Sequence, residues 1–298
     1  MISILIPIYN QSVVNLVQEF VSQCGKAKCR FEIICLDDVS QPQYHKINRA
    51  IQHLMGVNYV ELTDHCGRAK IRNKLASLAR FEHLLFIDSD SKIISKRYIK
   101  KYIAAIVDQP RAIISGGRTY PKKEPKRSIY KLHWRYGSNR ESPKASRRNK
   151  RATELFHSNN FVVPRAVTTQ YRFDESINTY GYEDVYWAHQ VSAEHPIVHI
   201  DNPIKHGGLK SVEVYLEETK DALVNLCQLY QKDETINTRL LRTYRGLKKW
   251  GLLRPFVTVL NRRMERIVDN LKSNNPQLFQ FDLFKLYYFA KCVSNSTK

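Results

Sequence analysis

Short apolar runs alternate with segments of helical periodicity in the N-terminal part of the chain. The segments between the runs place apolar residues three and four positions apart, as an amphipathic helix requires. The runs themselves have the length of strands and lie at residues 2–8, 31–36, 57–62 and 84–87. This alternation predicts an α/β fold, with a mostly parallel sheet flanked by helices.

The same pattern continues in a weaker form further along the chain. Strand patterns recur at residues 111–117, 155–163 and 197–200, and only helical periodicity follows from residue 212 onward. We therefore expect an α/β domain over residues 1–210, interrupted by a basic excursion at 118–151. A helical region is expected over residues 211–298.

Two carboxylates, Asp88 and Asp90, directly follow the apolar run at 84–87. Ligands bind at the carboxyl ends of the strands in open α/β sheets, and paired hard oxygen ligands suit Mg²⁺ or Mn²⁺ carrying a diphosphate. Considered alone, an Asp-Ser-Asp turn more often caps the following helix. The residues at the other strand ends are needed to choose between a metal site and a helix cap.

Further candidate residues follow the first three runs. Tyr9 can stack on a nucleobase, and Asp38 can accept a hydrogen bond from a uracil N–H or a ribose hydroxyl, although a turn and a helix cap are the simpler alternatives. The segment 67–73 opens a helix with three cations, among them Arg72. A helix N-terminus is an anion site, so a bound diphosphate would explain these cations, whereas a solvated basic face is the alternative.

An acidic pair and a histidine complete the candidate set. Glu183 and Asp184 lie in the predicted first turn of a helix at 181–193, where adjacent side chains point about 100° apart. One of them can therefore face a cleft and act as a general base toward a hydroxyl. His206 lies between a strand and a glycine turn, and imidazole is an acceptable ligand of Mn²⁺ beside a carboxylate.

Taken in order, these motifs resemble glycosyltransferase family 2, whose members have the GT-A fold. The matching segments are ISILIPIYN at 2–10, EIICLDDVS at 32–40, GRAKIRN at 67–73, LLFIDSD at 84–90, NFVVPR at 160–165 and GYEDVYW at 181–187. The resemblance implies an inverting, metal-dependent transfer of a sugar from a nucleoside-diphosphate donor, usually UDP-linked. For such a transferase, the two basic segments described below are consistent with a glycan or lipid-linked glycan acceptor in the synthesis of surface polysaccharides.

The resemblance also implies roles for the donor-binding residues. Pro7 and Tyr9, with Asp38, are expected to hold the nucleobase, and Arg72 to approach the uridine and the diphosphate. Asp88 is expected to contact the ribose or a metal-bound water.

The remaining roles concern the metal and the chemistry. Asp90 and His206 are expected to ligate Mn²⁺ or Mg²⁺ together with Asp88. Asp184 is the expected catalytic base, and Glu183 is expected to bind the acceptor or the donor sugar. The sequence departs from the family pattern at Val39 and Tyr182, where glycine is usual.

The positive charge of the chain is confined to two segments. The formal net charge is +20, with +11 between residues 118 and 151 and +10 between residues 235 and 298, so the remainder is close to neutral. A nucleic-acid-binding protein is the alternative from another class, but its usual sequence signatures are missing. Nucleotidyl transfer on a similar fold is a third hypothesis, and residues 6–10 lack the glycine-rich phosphate loop that it requires.

Location and membrane contact follow from composition. No run of 18 apolar residues is present, residues 1–8 are too short for a signal peptide, and the six cysteines form no C-x-x-C pair, so we expect a reducing, cytoplasmic location. The C-terminal helices combine cations with Trp250, Phe256, Tyr287, Tyr288 and Phe289. They suit either the inner face of an anionic membrane, bound peripherally, or a solvated cap with its aromatic residues packed inward.

Overall fold

The computed structural model describes residues 1–177 and 181–296. The described residues divide into two compact units. Unit 1 contains residues 1–120, 141–177 and 183–208, and unit 2 contains residues 121–140, 181–182 and 209–296. Part of the predicted basic excursion therefore belongs to the same unit as the C-terminal helices.

Unit 1 contains a seven-stranded sheet and a three-stranded sheet in its described part. The strands in chain order are β1 (Ile2–Ile8), β2 (Phe31–Asp37), β3 (Val57–Glu61), β4 (His83–Ile87), β5 (Ser91–Ile93), β6 (Ile113–Ser115), β7 (Arg118–Thr119), β8 (Asn160–Pro164), β9 (Ile197–His199) and β10 (Ile204–His206). The large sheet has the order β3-β2-β1-β4-β8-β6-β9, and the small sheet has the order β5-β10-β7. The predicted α/β class is confirmed.

Helices cover both faces of the large sheet. In unit 1 they are α1 (Val14–Lys26), α2 (Pro42–Asn48), α3 (Gly67–Leu78), α4 (Tyr98–Asp108), α6 (Ala145–Arg148), α7 (Arg165–Gln170) and α8 (Glu183–Val191). In unit 2 they are α5 (Lys131–Tyr136), α9 (Val212–Lys232), α10 (Arg239–Lys249), α11 (Leu253–Lys272) and α12 (Leu278–Ser296). None of the helices in the described part of the chain has the length and apolarity that crossing a membrane requires.

The strands of the large sheet are buried on both faces, which explains their continuous apolar sequence. Along β1, Ile4 and Ile6 belong to a core cluster that includes side chains of α1 and α4. Leu5 belongs to a second cluster, which includes side chains of α3 and α8. Successive side chains point to opposite faces of a strand, so each buried strand contributes to both clusters.

The direction of the strands determines which residues meet at one edge of the sheet. Strands β1, β2, β3 and β4 are parallel, so the residues that follow them share the carboxyl edge. Strand β8 is antiparallel to β4, with Asn160 opposite Ile87. The start of β8 therefore reaches the same edge as the end of β4.

The side chain of Asn160 joins four parts of unit 1. Its Oδ1 accepts hydrogen bonds from the hydroxyls of Tyr98 and Tyr102, at 2.6 and 2.5 Å. Its Nδ2 donates to the carbonyl oxygens of Gly117 and Asn202, at 2.7 and 3.0 Å. The carboxamide is fully buried, so these bonds satisfy all of its hydrogen-bonding groups and fix the start of β8 against α4.

Two positions where the family resemblance predicts glycine are occupied by other residues, and both have the positive φ that favours glycine. Val39 has φ of 62° and Tyr182 has φ of 66°, both in the left-handed region. The turn at Val39 is held by neighbouring bonds, since the Asp37 carboxylate accepts from the backbone N–H of Ser40 at 2.8 Å. A β-branched residue in this conformation is strained, by about 1–3 kcal/mol.

We expect Val39→Gly to raise the free energy of unfolding by about 1 kcal/mol, because glycine adopts φ near 60° without strain. Urea denaturation measures the change. Val60 is similarly exposed and lies in β3 outside the positive-φ residues, so Val60→Gly should lower stability instead. Destabilisation by both substitutions would show that the turn stores no strain.

Candidate active site

The carboxyl edge of the large sheet brings together residues from three neighbouring strands. Tyr9 follows β1, Asp38 follows β2 and Asp88 follows β4, and these strands are adjacent in the sheet. The ring of Tyr9 is 57% exposed and lies 5.3 Å from that of His65, between centroids. Pro7 is within β1, where it pairs with Leu36. An accessible aromatic ring is thus present where the sequence predicts contact with a base.

Asp38 caps the helix that carries Arg72. Its Oδ1 accepts from the backbone N–H of Cys66 at 2.7 Å, and its Oδ2 accepts from that of Gly67 at 3.0 Å. The simpler alternative considered for Asp38, a cap on the helix after Pro42, is therefore wrong. The N–H groups of Cys66 and Gly67 are thus bound to a carboxylate, and diphosphate binding by the cations of this segment stays a prediction. The base-binding role of Asp38 stays a prediction.

Arg72 lies between two acidic residues that are far apart in sequence. Its Nη2 is 2.9 Å from Asp88 Oδ1, and its Nη1 is 3.5 Å from Glu183 Oε1. The guanidinium also lies over the ring of Phe173, 5.7 Å from the centroid. Arg72 is 2% exposed, so it joins the end of β4 to the first turn of α8 from inside the protein.

Glu183 is the buried member of the acidic pair. Burial and the charge of Asp184 raise the pKa of Glu183 above its usual value, and the positive charges of Arg72 and Arg68 offset only part of this effect. Its carboxylate faces Arg72, so Glu183 contributes to the structure of the site as well as to its charge.

Asp184 has different surroundings. Its Oδ2 lies 3.4 Å from the backbone N of Ser158 and 3.7 Å from Nδ1 of His157. Burial raises the pKa of Asp184, but interaction with His157 and the positive charges of Arg118 and Arg72 outweigh burial and leave that pKa below its usual value. The side chain keeps 19% exposure, compared with 6% for that of Glu183. Asp184 is thus the more accessible acid of the pair and has the lower pKa, and its role as a base stays a prediction.

Asp90 and His206 are brought together by the small sheet. Strand β5 begins directly after Asp90, and its first residue, Ser91, pairs with His206 in β10. Asp90 Oδ2 lies 3.2 Å from His206 Nδ1. A Cβ atom on Gly207 would lie 2.4 Å from the carbonyl oxygen of Asp90, so only glycine permits this approach.

An oxygen and an imidazole ligand fit a divalent metal such as Mn²⁺. Within the described residues, no group of three or more His, Cys, Asp or Glu side chains is arranged to hold a metal ion. Asp88 contacts Arg72 instead. A metal held by Asp90 and His206 would take its remaining ligands from diphosphate oxygens and water, which is usual for Mg²⁺ with phosphate substrates.

Three residues near the acidic pair were not predicted from the sequence. His157 and Arg118 act on the charge of Asp184, and the backbone of Asn159 accepts a hydrogen bond from the backbone N–H of Asp88 at 3.2 Å. Arg118 belongs to the excursion that the sequence assigned as a basic segment without a defined role. No local sequence signal marks the other two, because their positions depend on the direction of β8.

Comparison with known proteins identifies the class. Residues 3–171, more than half of the chain, match the profile of glycosyl transferase family 2. The chain belongs to this family and is a glycosyltransferase. No curated protein sequence matches it.

Two solved structures show the same fold. A mannosyltransferase from Pyrobaculum calidifontis in complex with GDP-Man and Mn²⁺ aligns with a TM-score of 0.61 and 14% identity, over 100% of this chain and 88% of that one. S. aureus TarS 1-349 in complex with UDP-GlcNAc aligns with a TM-score of 0.53 and 15% identity, over 99% and 91% of the chains. Another TarS structure is matched over only 39% of its length. The predicted GT-A fold is confirmed.

We expect His157→Gln to raise the pKa of Asp184, because the positive charge of His157 favours the ionised carboxylate. Carboxyl ¹³C NMR as a function of pH gives the titration midpoint, with Asp184→Asn used for assignment. The exposed His53 provides the control substitution His53→Gln, which should leave the midpoint unchanged. An unchanged midpoint in His157→Gln would mean that the arginines alone hold Asp184 ionised.

Proposed function

We propose that this protein transfers a sugar from a UDP-linked donor to a hydroxyl group of an acceptor, with inversion at the anomeric carbon. The observation that carries the proposal is the continuous set of contacts from Asp88 through Arg72 to Glu183, with the ionised Asp184 beside it. This set lies at the carboxyl edge where β1 and β4 are neighbours. The nucleotide-sugar complexes of the two structural relatives support a donor of this class.

The donor would bind along the carboxyl edge. Tyr9 offers an exposed ring for stacking on the base, and the carboxylate oxygens of Asp38 retain acceptor capacity beyond the bonds to α3. A carboxylate acceptor suits the N–H of uracil. The relatives include a complex with UDP-GlcNAc and one with GDP-Man, so the choice of UDP rests on the sequence motifs of this chain.

Asp90 and His206 would hold the divalent metal, Mn²⁺ or Mg²⁺, near the diphosphate. A bound divalent cation neutralises the negative charge that develops on a departing diphosphate. Arg72 adds positive charge on the same edge, held in place by Asp88 and Glu183. Because this guanidinium is already paired, its main contribution is to fix the positions of the two acids.

Asp184 would accept the proton of the acceptor hydroxyl. Its lowered pKa keeps the carboxylate ionised at neutral pH, and its partial exposure leaves it reachable. Attack by the activated hydroxyl on the face opposite the leaving diphosphate inverts the anomeric carbon. Glu183, which is buried against Arg72, would hold the first turn of α8 in position and contact the acceptor or the donor sugar.

We further propose a cytoplasmic location at the inner face of the cell membrane, with a glycan or lipid-linked glycan acceptor in surface polysaccharide synthesis. The two basic segments support this part of the proposal, because their charges of +11 and +10 attract anionic acceptors and anionic lipid surfaces. The family assignment favours sugar transfer over nucleic-acid binding and nucleotidyl transfer.

We expect Asp184→Asn to lower sugar transfer by about a hundredfold to ten-thousandfold while UDP affinity changes little, because the base is removed and the donor contacts remain. A screen of UDP-, GDP- and dTDP-sugars with Mn²⁺ identifies the donor, and calorimetry measures UDP binding.

The control variant is Asp108→Asn, an exposed acid at the end of α4 that should retain full activity. Loss of UDP binding in Asp184→Asn would contradict the assignment of the base. A preference for GDP- or dTDP-sugars would contradict the uridine assignment.

A further inference from the structure

The turn between α10 and α11 in unit 2 combines exposed apolar side chains with a high density of positive charge. Residues 239–263 contain eight Lys or Arg and no Asp or Glu. Trp250 is 75% exposed at this turn, and Leu252 and Val259 are about half exposed. Trp250 is the most exposed of the five aromatic residues that the sequence placed on the C-terminal helices, whereas Tyr287 and Phe289 are buried. Tyr287 and Phe289 thus pack inward, whereas the exposed Trp250 at the α10–α11 turn does not fit the inward-packed alternative.

The shape of this turn is encoded locally. Helix α10 ends at Lys249, Trp250 is its C-cap, and Gly251 follows with φ of 68°. The backbone N–H of Gly251 donates to the carbonyl of Lys248 at 3.1 Å, and that of Leu252 donates to the carbonyl of Leu247 at 2.9 Å. These two bonds form a Schellman motif, which reverses the chain and fixes Trp250 at the turn.

An apolar groove of about 320 Å³ lies beside the turn. Its lining residues are Leu247, Leu252, Pro255, Phe256, Val259 and Leu260. Phe256 and Val259 are three residues apart on α11, and Leu252, the N-cap of this helix, lies four residues before Phe256, so the three side chains lie on one side of the helix start. Arg263 follows four residues after Val259 and continues the same face with a cation.

The cations around the groove are available for an external partner. Lys248, Lys249, Arg254, Arg262 and Arg263 are exposed, and none forms an ion pair with any described residue. We define these five cations with Trp250, Leu252 and Val259 as the hairpin patch. Its charge is complementary to an anionic surface, and its apolar side chains need a partner with an apolar layer.

We propose that the hairpin patch docks the protein on an anionic membrane surface. Anionic headgroups match the unpaired lysines and arginines, and the interfacial layer accepts a tryptophan and exposed aliphatic side chains. A soluble polyanion such as nucleic acid or polyphosphate accounts for the cations but gives the groove no apolar partner. The inference rests on the membrane location in the proposed function and names the surface responsible; no residue of the patch belongs to the donor site, so its test requires no enzymatic activity.

Sedimentation of the full chain with lipid vesicles tests the proposal. The probes are phosphatidylcholine vesicles with and without about one third phosphatidylglycerol, an anionic lipid. Wild-type protein should bind the anionic vesicles and release at high salt, because salt screens exposed charges. Trp250→Ser with Leu252→Ser should weaken binding about tenfold or more. Lys248→Gln with Lys249→Gln should weaken it about 30-fold, since each surface cation contributes about fivefold.

Matched controls use exposed residues outside the patch. Phe279→Ser removes an exposed aromatic side chain of the same unit, and Lys96→Gln with Lys100→Gln removes two exposed lysines outside both basic segments. Both controls should bind like the wild type, and thermal unfolding should be unchanged in all variants. Equal binding to neutral vesicles, or equal loss in the lysine control, would overturn the proposal. Unchanged binding by the Trp250 and Leu252 variant would also overturn it and indicate a soluble polyanion as partner.

A second observation concerns Asn159 in unit 1. Its side chain is 5% exposed in total, and neither Oδ1 nor Nδ2 hydrogen-bonds to any described residue. An amide that is buried without hydrogen-bond partners costs about 1–3 kcal/mol of stability. A ligand that hydrogen-bonds to the Asn159 carboxamide would offset this cost. The adjacent Asn160 has both groups fully bonded within the fold.

Two backbone contacts place Asn159, in the turn that precedes β8, beside the acidic residues. Its backbone carbonyl accepts from Asp88, and the backbone N–H of the preceding Ser158 points to Asp184.

We infer that Asn159 binds a hydroxyl group of the transferred sugar, an inference that rests on the proposed function. A carboxamide both donates and accepts hydrogen bonds, as a sugar hydroxyl does. Asn159→Ala should lower kcat/KM for transfer about tenfold to a hundredfold, leave UDP affinity unchanged, and leave the free energy of unfolding unchanged or higher.

Asn160→Ala is the matched control for stability, because it removes four internal hydrogen bonds and should destabilise the protein. Destabilisation by Asn159→Ala to the same extent would assign it a structural role and overturn the inference. Equal transfer by Asn159→Ala and wild type would also overturn it. An inactive wild type with every nucleotide sugar would instead contradict the proposed function, which keeps the two failures distinguishable.

Discussion

The buried guanidinium of Arg72 holds together residues that the chain separates widely. It contacts Asp88 at the end of β4 and Glu183 at the start of α8, and it is almost completely buried. Removing one partner of a buried ion pair leaves an uncompensated charge and typically costs about 3–5 kcal/mol. Arg72 in turn depends on Asp38, whose carboxylate fixes the start of α3. The position of Glu183 and Asp184 thus depends on a series of contacts. It runs from Asp38, which follows β2, through the start of α3 to Arg72.

The two adjacent acids differ because their partners differ. Glu183 has its pKa raised by burial and by the charge of Asp184, and Asp184 has its pKa lowered by His157 and nearby arginines. Neighbouring positions on a helix point about 100° apart, so each carboxylate meets a different part of the protein. One residue serves the architecture of the site while the other stays ionised and accessible. This difference suits a reaction in which one carboxylate removes a proton while the other stays bound to Arg72.

Unit 2 contains a buried aromatic core and an exposed basic turn. Aromatic side chains of α12 pack into the core of the unit, with Phe281, Phe284 and Phe289 buried, whereas Phe279 at the start of the helix is exposed. The turn between α10 and α11 instead leaves Trp250 exposed among lysines and arginines. The buried aromatic core and the exposed basic turn are thus separate features of this unit.

The sequence predicts the alternation of strands and helices, and with it the residues that follow β1, β2 and β4. It does not predict the direction of β8, because apolar periodicity is the same for parallel and antiparallel strands. The small sheet is also missed, since its strands have two or three residues and carry no periodic signal. For the same reason the sequence identifies Asp90 and His206 as separate candidates, but only the pairing of β5 with β10 brings them together.

The sequence alone thus determined the fold class, the order of the motifs and the acids at the strand ends, because these depend on local patterns. Only the tertiary structure decided the partners of those acids. Arg72 and Glu183 are 111 positions apart, and the contact between them exists because α3 and α8 pack on the same face of the sheet. Charge pairing over such a separation is set by packing, and packing is not visible in a single sequence.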